Sequence, residues 1–252
     1  MRDDLLEADA SVRWAVAQFP SLQRRLDAWL QENISVVFEE FEPNPDYEAI
    51  VALEKEPFPL TFSAEVGAYI NCIRSSLDVL ACALVQRYGK AGSDLSKVYF
   101  PVASSGSEFM AGSDKGAEFM KRIPLSERRI IESLKPYKEG NKPLWALHRL
   151  DIERKHRRLL AVTHDMASFR AQGFTGQKGL VPVVAGKMPG YVPVKGKTAI
   201  CFWPKTDWPK PEHEGTPHVV ITDGNIPYRR PVVTALDEFA HLATSFIKLF
   251  DY

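Results

Sequence analysis

Hydrophobic positions recur along this chain with two different periods, and the change from one to the other organises it. Over residues 5–31, Leu5, Val12, Val16, Phe19, Leu22, Leu26 and Leu30 share one side of a 3.6-residue period, which predicts an amphipathic helix. Pro20 lies inside it and lacks the N–H that a helix interior uses, so a kink or a split is expected there. ISVVFEEFE and YEAIVALEKE, joined by PNPD, are rich in β-formers around a turn and predict a hairpin over 34–56. The strongest helix runs over 63–88. Tyr69, Ile70, Ile73, Leu77, Leu80, Ala81 and Leu84 give it a broad apolar surface, and Asn71, Arg74, Ser75 and Asp78 form a narrow polar stripe at i, i+3, i+4, i+7. Gly89 closes it.

Residues 90–125 read as loop, rich in Gly and Ser, with VYFPV as a short extended piece and EFM occurring at 108–110 and again at 118–120. Ser126 can cap a helix over 126–135 that Pro136 ends, and Asn141 with Pro143 opens another over 142–164. From Phe169 the texture becomes strand-like: GLVPVVAG, KTAICFWP and HVVITDG, punctuated by Pro and Gly within 169–223. A final amphipathic helix spans 233–250, with Leu236, Phe239, Ala240, Leu242, Ala243, Phe246, Ile247 and Leu249. The late strands make a thin sheet alone, so they are expected to join the hairpin in one mostly antiparallel sheet packed on the helices. The expected fold class is α+β in a single domain, 1–252: a helical part to 165 with the hairpin inserted, a β-rich part over 166–231 and a closing helix over 232–250.

Length and composition allow a sizeable core in 252 residues. Lys plus Arg equals Asp plus Glu at 32 each, so a nucleic-acid contact must come from a local basic patch rather than from bulk charge. No stretch reaches the ~20 apolar residues of a membrane span, and the acidic opening MRDDLLEADA does not read as a secretory signal. Cys72 and Cys82 are ten residues apart on one expected helix, roughly 15 Å along its axis and too far to bridge. Cys201 stands alone in an expected strand. This usage suits reduced cysteine in a cytoplasm.

The densest chemistry is NKPLWALHRLDIERKHRRLLAV, residues 141–162. On a helix each residue advances by ~100°, so Arg149 and His156, seven apart, fall ~20° apart on one face near Ile152. His148, Asp151 and Lys155 occupy an adjacent face at i, i+3, i+7, while Arg154, Arg157 and Arg158 spread around the rest. No face is purely apolar. The natural partner is the Asn71, Arg74, Asp78 stripe: a crossing of the two helices can pair Asp78 with Lys155, Arg149 or His156, and Arg74 with Asp151. Such a cluster is either an ion-pair network that orders two helices or a site with tuned charge.

Other chemistries find little footing. Gly196-Lys197-Thr198 lacks an upstream glycine at P-loop spacing, since Gly190 is one residue too far, and a strand rather than a helix follows. His213 and His218, with Glu212 and Glu214, lack the helical i, i+4 pair of a zincin. His148, His156 and His164 step ~80° apart around a helix, so they do not converge on one metal. No cofactor or metal is therefore expected. Tyr191, Phe202, Trp203 and Trp208 near Lys195, Lys197, Lys205 and Lys210 could stack single-stranded nucleic acid, or could be sheet packing with a lysine-rich edge.

IRSSLDVLACAL, YFPV, LKPY and PLWALHRLDIERKHRRLL, in this order over roughly residues 60–160, resemble a family of uncharacterised bacterial and phage-borne proteins with an LRSALDHLA-type helix and an LxxLxNxDKHRxL-type helix. Arg74, Leu77, Asp78, Leu80, Lys155, His156 and Arg157 match that pattern. Ile152 and Arg154 depart from it, standing where the family tends to carry Asn and Asp. More loosely, Arg149 and His156 resemble the Arg-x(4–6)-His motif of HEPN-type helical ribonucleases, and Arg157 and Arg158 stand at similar spacing to His164. That resemblance implies metal-independent RNA cleavage, with His156 as acid or base on the ribose 2′-hydroxyl and Arg149 on the phosphorane charge. It also implies a homodimer with a composite site.

Two readings follow. One is an RNA-cleaving or RNA-binding protein whose site is Arg149, His156 and Lys155, supported by Asn71, Arg74, Asp78, His148, Asp151 and Arg157. The other is a non-catalytic interaction module in which the same Arg/His/Asp cluster is a structural polar network.

Overall fold

The computed structural model describes residues 1–40, 45–89, 92–112, 116–156, 158–172, 183–184, 196–204, 212–222 and 230–252. A 3-10 turn over Asp3–Leu5 leads into α1 (Leu6–Asn33), which continues as one helix through Pro20. The hairpin follows as β1 (Ile34–Glu40) and β2 (Tyr47–Glu54), antiparallel in the register Ile34↔Glu54 to Glu40↔Glu48. Then come α2 (Leu60–Tyr88), α3 (Gly106–Ala111), α4 (Ala117–Lys121), α5 (Leu125–Ser133) and α6 (Lys142–His156). Strands β3 (Val162–Gln172), β4 (Val183–Val184), β5 (Lys197–Pro204) and β6 (Glu212–Ile221) precede α7 (Val232–Lys248). The fold class is α+β with a helical core.

The chain groups into two compact units: Met1–Leu22, Leu60–Val162 and Ile221–Tyr252 form one, and Gln23–Pro59 with Thr163–Val220 the other. In the helical unit α2 is the central element, packed by α6 and α7. Its apolar surface is as expected: Ile70, Ile73, Leu77, Leu80, Ala81 and Leu84 are fully buried. α7 buries Ala235, Leu236, Phe239, Ala240, Ala243, Phe246 and Ile247, a 3.6-period stripe, whereas Leu249 at its end is exposed. Phe19 meets Tyr69 of α2 edge-on at 5.8 Å. The start of the helical unit is tied to α2 and to the chain's end by Arg87. This residue holds both oxygens of Asp4, at 2.6 and 3.1 Å, and donates to the Phe250 carbonyl at 2.9 Å. Its guanidinium lowers the Asp4 carboxyl below the usual range, against a smaller opposing effect of burial.

In the other unit, β2 carries the buried run Ala49, Ile50, Val51 and Ala52 and pairs with β5 antiparallel, with a bulge between Ile50 and Val51. β4 adds outside β5, giving the order β1-β2-β5-β4.

Several expectations need correction. Residues 90–125 are not all loop: α3 and α4 lie there, and each carries one EFM copy, with Phe109 and Phe119 buried. Six and five residues are too few for a period to show in sequence. Ser126 does not cap α5, which begins at Leu125 after Pro124; its hydroxyl bonds Glu127 instead. The helix expected to reach 164 ends at His156, because the chain enters β3 at Val162. Only part of the late β-structure joins the hairpin, for β3 and β6 form a separate two-stranded sheet. Finally, α2 is long and apolar enough by composition to cross a membrane, contrary to the sequence expectation. Yet 61% of its most apolar window is buried inside the protein, and the stripe it carries faces protein partners.

Candidate functional site

α6 begins where sequence placed it: the Asn141 side chain accepts from the Leu144 N–H at 3.0 Å and caps the helix. Leu144, Leu147 and Leu150 bury its apolar side, and they carry Asp151 and Glu153 into the core, 4% and 2% exposed. Buried carboxylates need partners. Asp151 accepts from Asn71 Nδ2 of α2 at 3.0 Å and pairs with Lys155 at 2.6 Å. Glu153 pairs with Arg149 at 3.7 Å.

The facing stripe on α2 is equally committed. Arg74, 4% exposed, donates from Nε to His148 Nδ1 at 3.2 Å, from Nη1 to Asp78 at 2.8 Å and from Nη2 to the Phe100 carbonyl at 3.1 Å. The same Asp78 oxygen accepts from the Phe100 N–H at 2.9 Å. Arg74 and Asp78 together hold both backbone polar groups of Phe100, whose ring stacks on Phe246 of α7 at 6.0 Å. This explains why VYFPV runs extended past α2.

The two helices therefore do form a polar seam, but with other pairings than sequence suggested. Asp78 bonds Arg74, not Lys155, Arg149 or His156; Asp151 bonds Lys155 and Asn71, not Arg74. The reason is reach: partners four residues apart on one helix are already neighbours, and three such pairs (Arg74–Asp78, Arg149–Glu153, Asp151–Lys155) are made within the helices. Links that cross from α2 to α6 include Asn71–Asp151 and Arg74–His148. Close approach is helped by Gly67. A Cβ there would lie 2.6 Å from Cδ and 3.0 Å from Cγ of Arg154, whose stem crosses α2 at this point. Arg154 Nε is buried without a hydrogen-bond partner, 4.0 Å from Asp151.

The seam opens into a cavity of about 650 Å³. Arg74, Asp78, His148, Arg149, Asp151, Lys155 and His156 all line it, so the structure brings together the sequence-predicted residues except Asn71, which braces Asp151 from α2, and Arg157, which lies outside the described residues. His156, the last residue of α6, is exposed, and Arg149 is 32% exposed. Sequence reasoning missed the opposite wall: Tyr99, Phe100, Val102, Ala103 and Ser104, with Glu108 of α3, and Trp145 one turn before Arg149. The Arg74–Asp78 spacing beside YFPV was the available signal. Three cations of the lining (Arg74, Arg149, Lys155) face three carboxylates (Asp78, Glu108, Asp151), so the site is balanced apart from its two imidazoles.

Among the described residues no group of three or more His, Cys, Asp or Glu side chains is arranged to hold a metal ion. Cys72 and Cys82 are free thiols, both pushed up by burial. Phe202 and Trp203 of the aromatic and lysine-rich edge stand in β5, where Lys197 pairs with Glu39, and His213 stands in β6. Tyr191, Lys195, Lys205, Trp208 and Lys210, and the side chains of Phe202, Trp203, His213, His164 and Cys201, lie outside the described residues. No family model, curated protein or solved structure matches the chain.

Proposed function

We propose that the protein binds single-stranded RNA at the α2–α6 cavity and cleaves it in the manner of a HEPN-type ribonuclease. The observation that carries this reading is that Arg149 and His156 line one open cavity, with His156 exposed at the end of α6. In that chemistry His156 takes the proton of a ribose 2′-hydroxyl, and the 2′-oxygen attacks the adjacent phosphorus. The P–O5′ bond breaks, the 5′-oxygen takes a proton from solvent, and a 2′,3′-cyclic phosphate remains. Arg149, steadied by Glu153, offsets the charge that builds on the phosphorane. Lys155 is a weaker contributor, because Asp151 already neutralises it at 2.6 Å. Tyr99 and Trp145 give a base something to stack on. A cytoplasmic bacterial or phage setting and a homodimer complete the reading.

A second reading has its own observation. Arg74, Arg149 and Lys155 each have a carboxylate partner within the seam, which suits a non-catalytic module whose polar cluster orders two helices. His156→Ala separates the two. As an exposed residue it should leave the melting temperature within about 2 °C, an exposed substitution being worth under ~0.5 kcal/mol. Cleavage of a labelled single-stranded RNA should fall at least ~100-fold, as loss of acid–base catalysis predicts. Wild-type protein that binds RNA without cutting it, or does neither, would leave the module reading standing.

A further inference from the structure

A guanidinium offers only donors. At the 3.2 Å contact between Arg74 Nε and His148 Nδ1, the imidazole nitrogen must therefore be the acceptor. Turning the ring over would put a carbon there and abandon the bond, so the network fixes the ring's orientation as well. Arg74 cannot swing away to admit a proton on Nδ1, since Asp78 and the Phe100 carbonyl hold its other two nitrogens and Asp78 is itself pinned by the Phe100 N–H. A neutral imidazole that accepts at Nδ1 carries its proton on Nε2.

We infer that Arg74 locks His148 as the neutral, Nε2-protonated imidazole, so that at its other ring nitrogen His148 is a hydrogen-bond donor and not a base. Resting on the RNA-cleaving reading, this gives the two imidazoles of the cavity separate tasks. His156 accepts the 2′-hydroxyl proton, whereas His148 donates through Nε2–H without giving its proton up, so it holds charge in place and takes no part in the proton transfer. Arg74 touches no substrate in this scheme and acts through the ring it orients. Its burial and its three fixed acceptors are what a positioning residue needs, and they explain why an arginine sits in the middle of the largely buried helix α2.

The tautomer is readable without any substrate. Protein labelled with 15N-histidine, examined by two-bond 1H–15N correlation at neutral pH, should show His148 in the Nε2–H pattern, its signals identified by their loss in His148→Gln. Arg74→Lys, with its single nitrogen, should shift that ring toward a mixture of tautomers. An Nδ1–H or doubly protonated His148 in the wild type overturns the inference. In RNA cleavage, His148→Gln keeps an N–H donor and should lose less than about tenfold, whereas His148→Leu should lose about 100-fold. Equal large losses in the two variants would mean that His148 exchanges a proton, and equal small ones that its N–H does not matter; either overturns the donor role. If the wild type cleaves no RNA, the ribonuclease reading falls while the spectrum still decides the tautomer.

Discussion

Asp151→Asn pulls stability and RNA affinity in opposite directions, which makes it the most discriminating change at the seam. The substitution keeps shape but removes a charge that is 4% exposed. Lys155 loses its counter-ion; because that lysine is 37% exposed, solvent screening holds the loss to about 1 kcal/mol. The Asn71 amide, now donating to a neutral oxygen, gives up roughly another 1 kcal/mol. A total near 2 kcal/mol corresponds to a melting temperature lower by about 4–8 °C in a chain of this size. Meanwhile the cavity's even balance of charge shifts by one toward positive, and Lys155 is released toward an occupant. Binding of a single-stranded RNA, followed by fluorescence anisotropy between 50 and 200 mM salt, should tighten, and the slope of log K against log salt should steepen by about 0.7. Unchanged stability would remove Asp151 from the structural seam. Lowered stability with unaltered affinity and slope would mean that RNA does not enter this cavity.

Two further outcomes test the packing. Gly67→Ala drives a methyl group into the middle of the Arg154 stem, so despite the better helix propensity of Ala it should cost about 1–2 kcal/mol by urea unfolding; adding Arg154→Ala should recover most of that, and a strictly additive double mutant would refute the contact. Glu127, 2% exposed, opposes burial with hydrogen bonds from Ser126, Tyr88 and Tyr252, and its carboxyl is lowered from 4.5 to about 2. A depressed carboxylate stabilises above its unfolded value and loses that contribution as pH falls through the folded one, so up to about 3 kcal/mol should vanish between pH 4.5 and 2. Glu127→Gln should flatten that window in acid denaturation curves, and an unflattened curve would contradict the assignment.

The long helices α2 and α7 and the β1–β2 hairpin were legible because each repeats its period often enough to stand above noise. α3 and α4 were not, since a single turn of helix has no period; what holds them is Phe109 and Phe119 entering a core assembled elsewhere. β3 was hidden by the basic run before it, which extends the α6 pattern in composition although the helix stops at His156. The candidate site was legible as two faces, because 3.6-residue arithmetic fixes which side chains share a side. Its partners were not. Helix geometry says nothing of which neighbour wins a charge, and contacts within a helix outcompeted those across the seam. The far wall, Tyr99 to Ser104, depends on Arg74 and Asp78 gripping the Phe100 backbone, a tertiary fact with only a faint local signal.

The pairing of β2 with β5 sets a timetable for synthesis. Val51 meets Ala199 in that ladder, and the whole segment Leu60–Val162 of the helical unit lies between them in the chain. On the ribosome the hairpin emerges early, with one edge of β2 presenting Ala49 to Ala52 and nothing yet made to cover it. An apolar, unpaired strand edge is where nascent chains stick to one another. Expression that stalls or truncates the chain before residue 197 should therefore yield aggregates, even though most of the helical unit has already been translated.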